Sequence, residues 1–196
     1  SIITTEMLEL FKETLIEGKD IEKNINKARA VESISDQMQE QISTYLAECT
    51  KHELSLNSSK SAAVMMRLTN ELESIGDSCL NLFFQLEKKL ENDLKFNDDM
   101  TNQISDFYKD VIKFIDWNNL FIYDDIKCMK SDELSKSIKY ENKIDDIRNN
   151  LIDLSRARLS EGSNAKSELI FMDIIKHLEH IGDYSLNISQ ALEQID

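Results

Sequence analysis

Apolar residues recur at intervals of three and four along almost the whole chain. One stretch carries Val31, Ile34, Met38, Ile42, Tyr45 and Cys49, and another Leu68, Leu72, Ile75, Cys79, Phe83, Leu86 and Leu90. A third runs Tyr140, Ile144, Ile147, Leu151 and Leu154, and a fourth Ile174, Leu178, Ile181, Ser185, Ile188, Leu192 and Ile195. This period puts each set on one face of an amphipathic helix, and each face predicts a seam packed inside a bundle. No alternating, strand-like pattern competes with them.

The breaks between these stretches are few. Gly18 suits the left-handed residue that ends a first helix running from about residue 4 to 17, and Asp20 is expected to cap the second. Asn57-Ser58-Ser59 is read as the break before the third helix, and Asn92 to Asp99 as the break after it. Ser131, followed by Asp132 and Glu133, predicts an N-cap with acids in the first turn, where the helix dipole favours them. Gly162-Ser163-Asn164 divides the last two. The count is six helices, several near 30 residues and therefore roughly 45 Å long. Short connections between them imply antiparallel neighbours.

The two halves repeat. NELESIGDSCLNLFFQLE, starting at Asn70, aligns without gaps to KHLEHIGDYSLNISQALE, starting at Lys176, a displacement of 106 residues. Glu32 and Asp36 precede Glu141 and Asp145 by 109. Two nearly equal displacements on different helices indicate a duplicated three-helix unit. The expected architecture is all-α: two tandem three-helix repeats, over residues 1–96 and 97–196, forming one elongated bundle.

Glu followed four residues later by Asp occurs four times: Glu32/Asp36, Glu73/Asp77, Glu141/Asp145 and Glu179/Asp183. Composition alone gives about two such pairs by chance, so placement is the stronger signal. All four fall at equivalent positions, one pair on each long helix. Residues four apart share a helix face, so each pair sets two carboxylates side by side. If the second and third helices of each unit meet along these faces, four carboxylates gather, and polyvalent cations relieve the crowding. Other acids at this spacing, Glu9/Glu13, Glu13/Glu17 and Asp106/Asp110, read as solvated faces. Asn81 and Asn187 lie four residues beyond the aspartates. They either hydrogen-bond a coordinating carboxylate or cap local backbone. Gly76 and Gly182 sit inside helices at a cost of ~1 kcal/mol each relative to Ala, which predicts close helix approach there. An oxygen-only ligand set suits iron, manganese or magnesium, and zinc more weakly.

Glu-x-Ile-Gly-Asp-x-x-x-Asn in the third helix of each unit, with Glu-x-x-x-Asp on the helix before, resembles the PhoU family of phosphate-uptake regulators. HLEHIGDYSLNI of the final helix carries the likeness most clearly. The resemblance implies that the eight acids bind multinuclear metal clusters, one per repeat. It also implies a regulatory role toward a phosphate transporter, with inorganic phosphate as a further ligand and a homodimer as a further assembly. Ser74 and His180 replace the arginine usual after the first glutamate. Ser35 stands where Ile144 keeps the apolar residue before the helix-two aspartate, and the proline common at the entry of the third helix is absent. These departures look more like the cytosolic PhoU-type domain of bacterial sodium/phosphate cotransporters.

Composition narrows the alternatives. A net charge of −14, from 37 acids against 23 Lys and Arg, argues against nucleic acid as a partner, whose phosphates demand basic patches. Cys49, Cys79 and Cys128 form no C-x-x-C pair, which favours a reducing compartment and hence the cytoplasm; the likeness to the cotransporter domain implies the inner face of the cell membrane. No apolar run approaches the ~20 residues of a membrane span. The chain starts at Ser1 without an initiator Met, which reads as a processed protein or a piece of a longer one, with a membrane portion of the same polypeptide as one transporter partner. The three histidines sit on presumed helices. His180 is a candidate supplement to the metal ligands, although an exposed histidine is the commoner case. No phosphate-cradling loop or nucleophile elbow is present, so the reading is regulatory and not enzymatic. A metal-free helical adaptor meeting a basic partner is the alternative. A metal-dependent hydrolase would lack an evident general base. The aromatic residues from Phe83 to Tyr123 read as core, with an exposed subset from Trp117 to Tyr123 as a candidate docking patch.

Overall fold

The computed structural model describes residues 2–18, 20–51, 55–123 and 125–195, without the side chains of Ile2, Ile3 and Glu17. Six helices follow in order: α1 (Ile2–Glu17), α2 (Ile21–Thr50), α3 (Leu56–Glu91), α4 (Asp98–Ile122), α5 (Ser131–Ser160) and α6 (Ala165–Glu193). There is no strand among the described residues. Each half is a three-helix unit, α1–α3 and α4–α6, and the halves join chiefly where α3 packs against α6, with α1 also touching α4.

The α6 seam lies where its period places it: Ile174, Leu178, Ile181, Ser185, Ile188 and Leu192 are all buried. Around it one hydrophobic core runs through both halves, from Met7, Phe11 and Phe83 to Phe107, Phe114 and Phe171. Burial of this apolar area is the main drive to fold. Phe11 meets Phe83 edge-on, with ring centroids 6.0 Å apart. In the second half the equivalent contact is polar. Asn118 donates from Nδ2 to the Ser185 carbonyl at 2.7 Å and accepts from Ser189 Oγ at 2.7 Å, so its buried amide is satisfied from both ends. Of the aromatic residues in the candidate docking patch, Phe121 is buried, and the indole Nε1 of Trp117 donates to Ser137 Oγ at 3.0 Å.

One seam is not a seam. Ile34, Met38, Ile42 and Tyr45 of α2 are 40–69% exposed. Periodicity identifies the apolar face of α2, but among the described residues nothing buries that face. Several local expectations also shift. Asn57-Ser58-Ser59 lies inside α3, whose cap is Ser55, accepting from the Ser58 amide. Asp20 occupies the N-cap position in a left-handed conformation (φ 52°) and makes no side-chain cap hydrogen bond. Lys130, not Ser131, caps α5, its amide donating to Glu133 at 2.8 Å. Asp110 is no freely solvated acid, for it accepts from Lys143 at 2.7 Å and ties α4 to α5. Gly18 ends α1 at φ 62° as expected, and Asn164 caps α6.

The two helix-interior glycines mark the closest approaches. A Cβ built on Gly182 would stand 3.0 Å from Cδ1 and Cγ2 of Ile144, whereas one on Gly76 would stand 3.7 Å from Ser35 Oγ. Gly182→Ala therefore overpacks a buried branched side chain at a cost of ~1–3 kcal/mol, only partly offset by better helix propensity. Gly76→Ala meets ordinary contact distance and keeps most of the ~1 kcal/mol propensity gain. Chemical denaturation of the metal-free variants should show Gly182→Ala less stable than Gly76→Ala by about 2 kcal/mol; equal stabilities would contradict this packing.

Candidate metal centres

The glycine contacts set the site geometry. Gly76 faces Ser35 and Gly182 faces Ile144. Asp77 and Asp183 follow those glycines in sequence, while Asp36 and Asp145 follow the residues opposite. Close approach of α2 to α3, and of α5 to α6, therefore sets carboxylates from two helices against each other. In the first half Glu32, Asp36 and Asp77 each offer an oxygen within 4.8 Å of the others, and in the second half Glu141, Asp145 and Asp183 do the same. Oxygens that share one hard cation at 2.0–2.6 Å lie within about 5 Å of one another, so these separations are of that order.

The fourth carboxylate of each set stands at the flank. Glu73 feels Asp77 and Asp36, and the Ser74 hydroxyl donates to it at 3.4 Å. Glu179 is buried and is held by Arg148, whose Nη2 lies 2.9 Å from Oε1 and 3.8 Å from Asp145. This arginine is the residue that sequence reasoning missed: it sets a cation against the acids of the second set, whereas Lys143, between Glu141 and Asp145 in sequence, pairs with Asp110 of α4. Its signal was the spacing, since position 148 shares a face with Asp145. The repeat counterpart is Gln39, which donates to Asn70 at 2.9 Å, so the first set has no equivalent guanidinium. His180 Nε2 lies 3.8 Å from Glu179, and His52 falls outside the described residues. Asn81 donates to the Asp77 backbone carbonyl at 3.0 Å, and Asn187 to Glu71 at 3.0 Å; those bonds go to groups other than the eight carboxylates.

The electrostatics follow the geometry. Burial, reinforced by the charges of Asp36 and Asp77, raises Glu32 to about 7. Burial and then Asp77 and Asp36 raise Glu73. In the second set burial and the neighbouring Asp145, Asp183 and Glu179 raise Glu141. Asp183 rises by burial and by Glu179 and Asp145, against the opposing pull of His180 and Arg148. Carboxylates crowded in this way favour whatever neutralises them, whether protons, a guanidinium or a metal ion. The donor set fits a hard or borderline cation, since every converging ligand is a carboxylate oxygen.

Two outcomes follow for the metal-free protein. Glu32 holds its proton longer in the folded state than its ordinary 4.5 allows, so its contribution to stability falls as pH rises from that value to about 7. His177 works in the opposite sense, because burial and then His180 lower it. Glu32→Gln removes the first effect and keeps the second. Its melting temperature in chelator, relative to the parent, should climb between about pH 5 and pH 8, and a flat difference would refute the crowding. Arg148→Gln should cost about 1 kcal/mol in chelator, discounted for partial exposure, and far less once metal is added; an equal loss in both conditions would mean that Arg148 does not compensate the acids.

No curated protein matches the sequence. The fold resembles the crystal structure of PhoU from Pseudomonas aeruginosa with a TM-score of 0.73 and 14% identity, covering 97% of this chain and 88% of that one. The family model for the PhoU domain matches residues 2–86 and 126–192, which take in all eight carboxylates of the two sets. By that match, the chain belongs to the PhoU domain family.

Proposed function

We propose that this PhoU domain regulates phosphate uptake and that its two carboxylate sets hold polyvalent cations. The observation that carries the reading is convergence: Glu-x-x-x-Asp pairs from different helices meet at two repeat-related places, although each meeting concentrates like charge. Nothing in helix packing requires that, whereas cation binding does. Iron, manganese and magnesium suit the oxygen donors best, and zinc suits them less because no thiolate converges on either set.

A bound cation would supply a positive centre with open positions for phosphate oxygens or a partner's carboxylate. The chain's own residues hold the site: the two helices of each half fix the oxygens, and Arg148 keeps Glu179 drawn toward the second set. The partner is a phosphate transporter, in one version a membrane portion of the same polypeptide at the cytoplasmic face, as in sodium/phosphate cotransporters. No helix among the described residues is itself long and apolar enough to cross a membrane. The second reading, a metal-free adaptor for a basic partner, is favoured at the second set by Arg148, which already compensates part of its charge.

Elemental analysis of protein purified without chelators separates the two. The expected result is stoichiometric metal, of which Asp145→Asn/Asp183→Asn loses one set and retains the other, with a metal-dependent rise in melting temperature. Metal-free protein whose melting is indifferent to added iron, manganese, magnesium and zinc would favour the adaptor.

A further inference from the structure

The two carboxylate sets differ in one seated charge. Nη2 of Arg148 lies 2.9 Å from Glu179 and 3.8 Å from Asp145, so a single nitrogen stands between acids of α5 and α6. Across the repeat Gln39 takes the place of Arg148 and turns to Asn70. Glu73, the counterpart of Glu179, accepts from the Ser74 hydroxyl at 3.4 Å, and among the described residues no basic group pairs with it. One flanking glutamate is therefore held by a cation and the other is not.

The same pair of helices carries a second arginine–glutamate contact, and the contrast is informative. Arg158 donates to Glu168 through Nε and Nη2, both at 2.8 Å, and its side chain is 18% exposed. Such two-pronged pairs are the strong ones. Arg148 reaches Glu179 through Nη2 alone, and its Nη1 donates to the neighbouring Asn149 at 2.9 Å. Its Nε is buried and has no hydrogen-bond partner among the described residues, which is unfavourable for a charged donor. The side chain as a whole is 35% exposed. Charge, more than fit, holds this guanidinium at the second set, and solvent lies open on one side of it.

We propose that Arg148 is a tethered cation that must leave Glu179 and Asp145 before a metal ion takes the second set, so that the first set fills at lower metal concentration than the second. This rests on the reading of both sets as cation sites. Two positive charges exclude each other at such range. A set that is competent only while the guanidinium is away binds more weakly in proportion to that fraction, so a contact made about nine-tenths of the time weakens binding about tenfold. The first set has no such competitor among the described residues. One chain thereby responds to the same ion at two thresholds.

Manganese reads each set by itself: the first in Asp145→Asn/Asp183→Asn, the second in Asp36→Asn/Asp77→Asn. Electron paramagnetic resonance of the free ion gives the binding curves, at a pH above the value of about 7 to which Glu32 is raised. The first set should bind about tenfold more tightly than the second. Adding Arg148→Gln should tighten the second set by about that factor and leave the first unchanged. Arg148→Lys, which keeps a cation, should restore the weaker binding. An arginine that merely held α5 to α6 would cost affinity when removed, so weaker or unaltered binding at the second set in Arg148→Gln overturns the proposal. Equal affinities of the two sets in the presence of Arg148 overturn it too, and leave the proposed function standing. If the parent takes up no manganese, iron, magnesium or zinc at either set, the proposed function falls with it.

Discussion

Two helix pairs approach each other at glycines, and that contact brings carboxylates of different helices face to face. Gly182 lets α6 close on Ile144 of α5, while Gly76 and the small Ser35 let α3 close on α2. The aspartates next to these contacts then stand close to acids of the facing helix. Like charges at such range repel, and the apolar core that pulls the helices together offsets the repulsion. The fold therefore stores electrostatic tension at two places, which any neutralising ligand releases. Raised carboxyl protonation in both sets is the direct expression of that tension.

The two sets discharge the tension differently. In the first, the described residues supply protonation of Glu32 and Glu73 and the Ser74 hydroxyl that donates to Glu73. In the second, Arg148 reaches across from α5 to Glu179 and adds a positive charge that position 39 of the first half cannot provide. Tyr184 stands between them on α6. Burial raises its hydroxyl, and after Glu71 it feels Asp183 from one set and Asp77 and Glu73 from the other. A charge change in one set is thus felt at a group that also faces the second.

The all-α class, the six helices and the duplicated acids were all legible, because each depends on local periodicity or internal repetition. Ile174 to Leu192 are buried where their spacing put them. The face from Ile34 to Tyr45 is exposed among the described residues for a physical reason: periodicity tells which side of a helix is apolar, and only what packs on it decides whether that side is buried. The caps failed on a similar point. Ser55 and Lys130 define helix starts through single hydrogen bonds that compete with other polar residues nearby. Among the acids, convergence across helices was legible from the repeat, but not the division into three facing carboxylates and one flanking one, which depends on the lateral seating of the helices. Arg148 went unnoticed because its role exists only once α5 and α6 are side by side.

The wholly buried Glu168 receives hydrogen bonds from Ser155, Ser163 and Arg158, the last through two nitrogens at 2.8 Å. Although burial opposes it, these bonds keep its carboxyl ionised, and they clamp the α5–α6 end shut. The corresponding residues of the first half are Leu46, Cys49 and Ala62, which have no such clasp. Among the described residues, unfolding fluctuations that part α2 from α3 thus sever no buried ion pair, while those that part α5 from α6 must strand one. The molecule is built with a soft half and a stiff half, and amide protons at the Leu46 end should surrender to solvent long before those around Glu168.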